Sequence, residues 1–492
     1  MSTAEVTMPA YLIDEENHKH YITRELGKGA QGAVYRTKDD NVVIKVVMTE
    51  DDQLVVDEKE YDIYKSKIDD IRILQIPKGV NIAKPELMLK KPYNGYVMRL
   101  LNNMVPISEL LLRPSVEDPF QHYLETGGLR RRLQILTKLA RMFSHLQSLP
   151  IVYGDISENN IYISENPEET EVWLIDSDNM RYMMDFESII CTPGYGAPEV
   201  VKGISCNTTY SDVYSFAILA FKMLAFVDPF FGVRFEEDNS DDWDDDWSNE
   251  GTGDTTDPDE LAGRGELPWI EDRFDDSNRS KAGFNRKHVL TQRMFDLFQQ
   301  TFGLEGRQNP VSRPTMEAWY ECLLQASEAT VKCHECKHSY YFIEKACPYC
   351  HVEKRKHLET QIFNWFHVDK IFEDDEFITE KFDVQNHEQN HLFFKQTSFK
   401  TFDYMRGKHY LTNRHTEDAF FTQEIENTVE LDLGNTTFIK NLSKTPILVT
   451  VNGTNKELNY LQSVEVSRIM DVIITIHLTQ FKTRYIKFEL RD

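Results

Sequence analysis

Apolar and polar positions alternate with period two over Tyr21 to Tyr35 and again over Val42 to Val47, and a glycine cluster interrupts the first run. Successive strand side chains point to opposite faces, so this pattern predicts two strands joined by a glycine turn, with a third beside them in an antiparallel sheet. Leu54 to Ile68 has helical spacing, and Tyr96 to Leu101 reads as another strand. Leu129 to Leu146 predicts a strongly apolar helix with Arg and Lys on its other face; two short strand-like runs, Ile161 to Ile163 and Val172 to Ile175, follow it. Further helices are predicted over Ser211 to Phe226, Leu290 to Phe302 and Met316 to Ser327. The first of these stops before Asp228-Pro229, since proline disfavours helical geometry in the residue before it.

Towards the C-terminal end the pattern changes to short apolar runs, Thr437 to Ile439, Ile447 to Val451, Val472 to Ile476 and Tyr485 to Phe488, separated by turn signals such as Asn452-Gly453. Residues 390–492 are therefore expected to form a separate, β-rich domain. A chain of 492 residues exceeds what one hydrophobic core serves, which predicts at least two domains and points to three.

Composition adds two constraints. The formal net charge of -26 argues against a nucleic-acid backbone or an anionic membrane as the main partner. Half of that charge is local, because residues 236–260 hold thirteen acidic residues and no Lys or Arg. Rich in Gly, Ser and Thr as well, this acidic insertion reads as a solvated loop; a sharper reading makes it a tether for a basic substrate or a partner, through Trp243 and Trp247. No signal-peptide pattern and no long apolar run is visible, so the expected location is cytoplasmic.

The candidate chemistry begins at Gly27-Lys28-Gly29-Ala30-Gln31-Gly32-Ala33-Val34, where missing side chains let backbone N–H groups approach phosphate oxygens. Lys45 follows at strand spacing in Val-Val-Ile-Lys, placed to meet nucleotide phosphates, and Glu60 on the next helix is expected to pair with it, with Glu58 as a rival. In Val152 to Asn160 a carboxylate and an amide lie five residues apart, which allows one loop two jobs: Asp155 to orient or deprotonate an attacking hydroxyl, and Asn160 to hold a metal ion. Asp176, at the end of a predicted strand, adds a second oxygen ligand for a hard cation such as Mg²⁺ or Mn²⁺.

In this order the motifs resemble the eukaryotic-like (Hanks-type) protein kinase family. Cys191 to Glu199 is similar to the family's GTPxYxAPE segment, Ser211 to Phe216 to the helix whose Asp supports the catalytic loop, and Arg313 to the partner of Glu199. Met98 falls at the gatekeeper position, with Arg99 to Leu101 as the hinge to adenine, so that Leu100 is expected among the nucleotide-binding residues. The resemblance implies an α+β bilobal fold, with an N-terminal extension at 1–20, an N-lobe at 21–101 and a C-lobe at 102–328. It also implies ATP-dependent transfer of the γ-phosphoryl group to Ser or Thr of a protein. Three departures stand out. Gly154 replaces the arginine before the catalytic Asp (a non-RD pattern), Ser157 stands where many relatives carry Lys, and Asp176-Ser177-Asp178 replaces DFG. Asp178 is read as a turn former, with metal binding as the alternative. Two rival readings are a small-molecule phosphotransferase of aminoglycoside type and an ATP-binding pseudokinase scaffold.

Cys333, Cys336, Cys347 and Cys350 form two CxxC pairs with metal-site spacing, expected to bind a structural Zn²⁺ in a ribbon at 329–353. Iron in a rubredoxin-like site uses the same spacing. His334, His338 and His351 are read as exposed bystanders. Residues 354–389 are expected to be a linker. The stretch Gly263 to Ile270, Arg313 and the cysteines together resemble bacterial kinases of tellurite-resistance-type stress-response clusters. That resemblance implies a von Willebrand A-domain protein as candidate substrate or partner and a PP2C-like phosphatase as companion.

Overall fold

The computed structural model describes residues 8–29, 32–49, 53–56, 58–113, 115–184, 191–233, 257–366, 394–403, 407–418 and 424–492. Ala30, Gln31, the acidic insertion up to residue 256 and residues 367–389 of the expected linker lie outside them. The chain divides into two compact units, Met1–Thr126 with Ile135–Tyr320, and Gly127–Gln134 with Glu321–Asp492.

The first unit opens with a six-stranded antiparallel sheet. Its strands β1 (Tyr11–Ile13), β2 (Lys19–Gly29), β3 (Gly32–Thr37), β4 (Val42–Val46), β5 (Leu87–Met88) and β6 (Gly95–Arg99) lie in the order β1-β2-β3-β4-β6-β5. Period-two alternation buries Ala33, Ile44, Val46 and Val97 on one face and Val43, Tyr96 and Met98 on the other. The turn between β2 and β3 needs glycine for a steric reason: Gly32 has φ +140, and a Cβ there would lie 2.1 Å from the Val46 carbonyl oxygen.

Residues 8–20 are part of this sheet, a correction to the extension expected at 1–20. Buried Asp14 closes the β1–β2 connection, accepting backbone N–H bonds from Glu16 and His18 and lying 2.9 Å from His20 Nε2. A three-residue strand is too short to leave a periodic signal. Helix α1 (Glu58–Ile73) starts later than its apolar spacing predicted, because Leu54 is instead bridged to Met48 beside the sheet.

The helical part of this unit packs around aromatic rings. Trp319 meets Phe216 and Phe298 edge-on, and Trp269 meets Phe221 in the same way. Thr208 and Ser211 form a capping box that starts the helix Thr209–Ala225, which ends at Phe226 in the left-handed conformation (φ 55). One buried ion pair ties distant segments together. Arg313 donates to both oxygens of Glu199 at 2.8 and 2.7 Å, and also to the carbonyls of Gly306 and Tyr210.

The second unit contains a six-stranded sheet, in the order Phe394–Asp403, His357–Phe366, Lys482–Arg491, Val472–Thr479, Ile447–Val451 and Thr454–Leu458. A four-stranded sheet (Gly407–Thr412, Asn427–Leu433, Thr437–Asn441, Ser463–Val466) shares its core, through residues such as Leu358, Ile486, Leu431 and Ile439. The linker expected at 354–389 thus begins with a strand that is paired on both sides, and the β domain starts well before residue 390. At Asn452-Gly453 both residues have positive φ, as a two-residue hairpin turn requires. No helix among the described residues is long and apolar enough to cross a membrane.

Replacing Arg313 by Met leaves Glu199 as a buried charge without its counterion. The expected cost is about 3–5 kcal/mol, read as a lower urea midpoint for the first unit, whereas an unchanged midpoint would show that Glu199 finds another partner.

Candidate active site and metal centre

A cavity of about 570 Å³ lies between the sheet and the helical part of the first unit. Its lining includes Gly27, Lys28, Gly32, Val34, Lys45 and Met98 from the sheet side, and Asp155, Asn160 and Asp176 from the loops opposite. Four side chains separated by up to 131 positions therefore face one space. Apolar Val34, Val43, Ala83, Met98 and Ile175 line it together with the titratable groups, a mixture suited to a ligand with an apolar part and a charged part. Leu100 lines the cavity too, but its backbone N–H is taken by the Asn41 carbonyl at 2.7 Å.

The catalytic-loop candidates are held by a dense set of hydrogen bonds. Asp212 is fully buried and accepts from the backbone N–H of Tyr153 at 2.8 Å and of Gly154 at 3.0 Å. Burial pushes its carboxyl up to about 6, against the downward pull of those two amides. Gly154 sits at φ +87, and its carbonyl accepts from Asn207, so the turn before Asp155 is fixed from both sides. Asp155 Oδ2 accepts from Asn160 Nδ2 at 2.8 Å, while its Oδ1 accepts from the Thr192 hydroxyl at 2.7 Å. Thr192 was not singled out as a site residue; its place in the Cys191 to Glu199 segment was the available signal.

Lys45 departs from expectation. Its ammonium lies 3.0 Å from Asp176 Oδ2 and 2.8 Å from Asp178 Oδ2. Burial works against this charge, but Asp178 and Asp176 together outweigh it and hold the ammonium above the usual lysine range. The pairing expected with Glu60 is not made. On α1 the buried stripe is Tyr61, Ile68 and Ile71, with Tyr64 between them, and Glu60 falls outside it on the exposed side. Asp178, read from sequence as a turn former or a metal ligand, has both oxygens engaged: Oδ2 with Lys45, and Oδ1 with the Tyr96 hydroxyl at 2.7 Å.

In the second unit Cys333, Cys336, Cys347 and Cys350 place their sulfur atoms within 4.8 Å of one another. The pairs Cys333–Cys350 and Cys336–Cys347 lie at 3.6 and 3.5 Å, near the ~3.8 Å edge of a tetrahedron with zinc–sulfur bonds of about 2.3 Å. Four sulfur donors so arranged fit a closed site for Zn²⁺, and they fit iron equally well in geometry. The histidines divide: His351 is exposed as expected, but His338 is buried and stacks on Tyr349 at 4.2 Å.

Residues 21–262 match the family model described as the protein kinase domain. Relatives include the serine/threonine-protein kinase glkA of Dictyostelium discoideum, 25% identical over 42% of this chain and 40% of that protein. Wall-associated receptor kinase-like 3 of Arabidopsis thaliana is 28% identical over 46% of the chain and 30% of that protein. Calcium/calmodulin-dependent protein kinase type IV of Mus musculus is 25% identical over 48% of each. The chain thus spans less than half the length of each of these relatives. Residues 21–262 are thus similar to the protein kinase domain, within a unit of mixed α and β content, and a cysteine cluster and a β-rich region follow.

Two outcomes are expected. Purified protein should contain one equivalent of zinc per chain by elemental analysis, and Cys336→Ser with Cys350→Ser should lose it; iron in its place would identify the rubredoxin-like alternative. Asp212 has a raised pKa in the fold, so the stability it contributes is fully present below about 3.8 and is lost as pH climbs through about 6. Asp212→Asn removes that titration, and urea unfolding between these pH values should fall less steeply with rising pH than in the wild type.

Proposed function

We propose that this chain is an ATP-dependent protein kinase that transfers the γ-phosphoryl group to a Ser or Thr hydroxyl of a protein. The observation that carries this reading is the convergence of Lys45, Asp155, Asn160 and Asp176 on one cavity roofed by a glycine turn. The cavity can hold a nucleotide with its base against Val34, Val43, Ala83 and Met98 and its phosphates towards Lys45. The ammonium of Lys45 and the N–H groups of the glycine turn then bind the phosphates. Asp155 orients the substrate hydroxyl and accepts its proton, with Thr192 and Asn160 fixing the carboxylate. Asn160 and Asp176, oxygen donors in one cavity, are the residues that would hold Mg²⁺ or Mn²⁺. Such an ion supplies charge neutralisation at the phosphate oxygens.

The non-RD character rests on Gly154, which leaves no arginine before Asp155 to receive an activation-loop phosphate. A nucleotide-binding scaffold is disfavoured because all four charged or amide groups that the transfer needs are retained. A small-molecule phosphotransferase is disfavoured by the Glu199–Arg313 pair, which secures the segment associated with protein substrates. A role in bacterial stress-response signalling in the cytoplasm, with a von Willebrand A-domain protein as substrate and a PP2C-like phosphatase opposing it, completes the proposal. It rests on the likeness of Gly263 to Ile270 and the cysteine pairs to kinases of tellurite-resistance clusters.

Incubation with γ-labelled ATP and Mg²⁺ should label protein, and Asp155→Asn should lower kcat by about 10²–10⁴ while ATP still binds. Label appearing on small amino alcohols instead would favour the phosphotransferase reading; ATP binding with no label moved by the wild type would favour the scaffold.

A further inference from the structure

We propose that Asp178, held by the Tyr96 hydroxyl, is the positioning residue for Lys45, in place of a carboxylate from α1. The inference rests on the kinase reading above and assigns the machinery that aims its lysine.

The geometry is complete on both sides of the carboxylate. Oδ2 of Asp178 meets the ammonium at 2.8 Å, and Oδ1 accepts the Tyr96 hydroxyl at 2.7 Å, so each oxygen has a partner within the protein. Both charged side chains are almost wholly out of water, with 9% of Lys45 and 6% of Asp178 exposed. A pair this dry gains rigidity from further hydrogen bonds to its charged groups, and the Tyr96 hydroxyl supplies one.

The strand register explains how. Lys45 on β4 lies directly opposite Tyr96 on β6, so the two side chains leave the sheet on the same face as neighbours. Asp178 reaches them from the segment after the strand Val172–Leu174, and its own N–H is turned by Asp176 Oδ1 at 3.1 Å. Among its described side chains, helix α1 has no acid that reaches Lys45. Its contribution is Tyr64, whose hydroxyl is buried without a hydrogen-bond partner and whose phenol burial, with Asp178 and Asp176 nearby, holds well above its usual range.

Division of labour follows. Asp176 also touches Lys45, but it is the carboxylate assigned to the metal ion, whereas Asp178 is held between the lysine and Tyr96. In a kinase whose lysine pairs with a helix glutamate, displacement of that helix breaks the pair. Here the anchor spans two strands and the Asp176 to Asp178 turn, so lysine alignment is set by that turn and is independent of α1.

The test compares wild type, Asp178→Asn, Tyr96→Phe and Glu60→Gln as full-length, zinc-loaded proteins. Binding of ATP with Mg²⁺ is measured by calorimetry, and transfer of label from ATP to casein and to the chain itself is timed. Asp178→Asn is expected to weaken ATP binding and lower kcat/KM for ATP by about tenfold or more, as expected when one partner of a buried ion pair is removed. Tyr96→Phe should lose about threefold or more in the same two quantities. Glu60→Gln, at an exposed position, should stay within about twofold of wild type. Loss of folded protein alone lowers the number of sites and leaves the affinity of the remaining sites unchanged, so a purely structural role is separable. Wild-type ATP affinity in Asp178→Asn, or a loss in Glu60→Gln as large as that in Asp178→Asn, would overturn the assignment. ATP bound by the wild type with no label moved would overturn the transfer reading instead, and the affinity series would still decide what aims Lys45.

Discussion

One ammonium taken out of water sets the terms for the first unit. Lys45 is buried at the centre of the sheet's inner face, and burial of an unpaired cation is prohibitive, so the fold must bring carboxylates to it. Those carboxylates, Asp176 and Asp178, lie more than 130 residues away in sequence, on a turn contributed by the opposite side of the cavity. The ion pairs therefore do two things at once. They satisfy the lysine, and they hold the two sides of the unit around a common space in which phosphate chemistry is feasible.

The loop that carries Asp155 and Asn160 is stabilised by a different device. Asp155 and Asn160 take their positions from amides and hydroxyls, with the buried carboxylate of Asp212 beneath Tyr153 and Gly154 and the Thr192 hydroxyl above. A helix residue thus fixes the loop through the loop's own backbone, while Asn160 and Thr192 hold the Asp155 carboxylate. The Glu199–Arg313 pair repeats the principle further out: a doubly bonded, buried ion pair secures the segment beyond Thr192 to the helical core. Rigid support beneath mobile chemistry is what a reaction dominated by positioning and electrostatics requires.

The second unit rests on other physics. Its cysteine knuckles bury only a small cluster around Val331 and Tyr340, and four sulfur atoms at tetrahedral spacing provide the means to hold such a segment by metal coordination. Its β module instead buries an apolar core between two sheets, and buried His415 and Arg484 pair with Glu328 and Asp418 in the same unit.

How much was legible depended on whether the signal was local. Short-range rules announced the glycine turn, the two-residue hairpin at Asn452-Gly453, the helix over Thr209–Ala225 and the CxxC pairs, because each needs a residue type at a set offset. The order of Lys45, Asp155, Asn160 and Asp176 was equally readable, since one strand end and two loops carry them. Strand β1 and the strand His357–Phe366 were missed because their stability comes from partners far along the chain. The partner of Lys45 was missed for the same reason: periodicity placed Glu60 on a helix but could not say which face that helix would bury. Only tertiary packing turned Tyr61 and Tyr64 towards the sheet, left Glu60 outside, and set Tyr96 and Asp178 beside the lysine, because contact across the cavity is decided by strand register and the path of the returning chain.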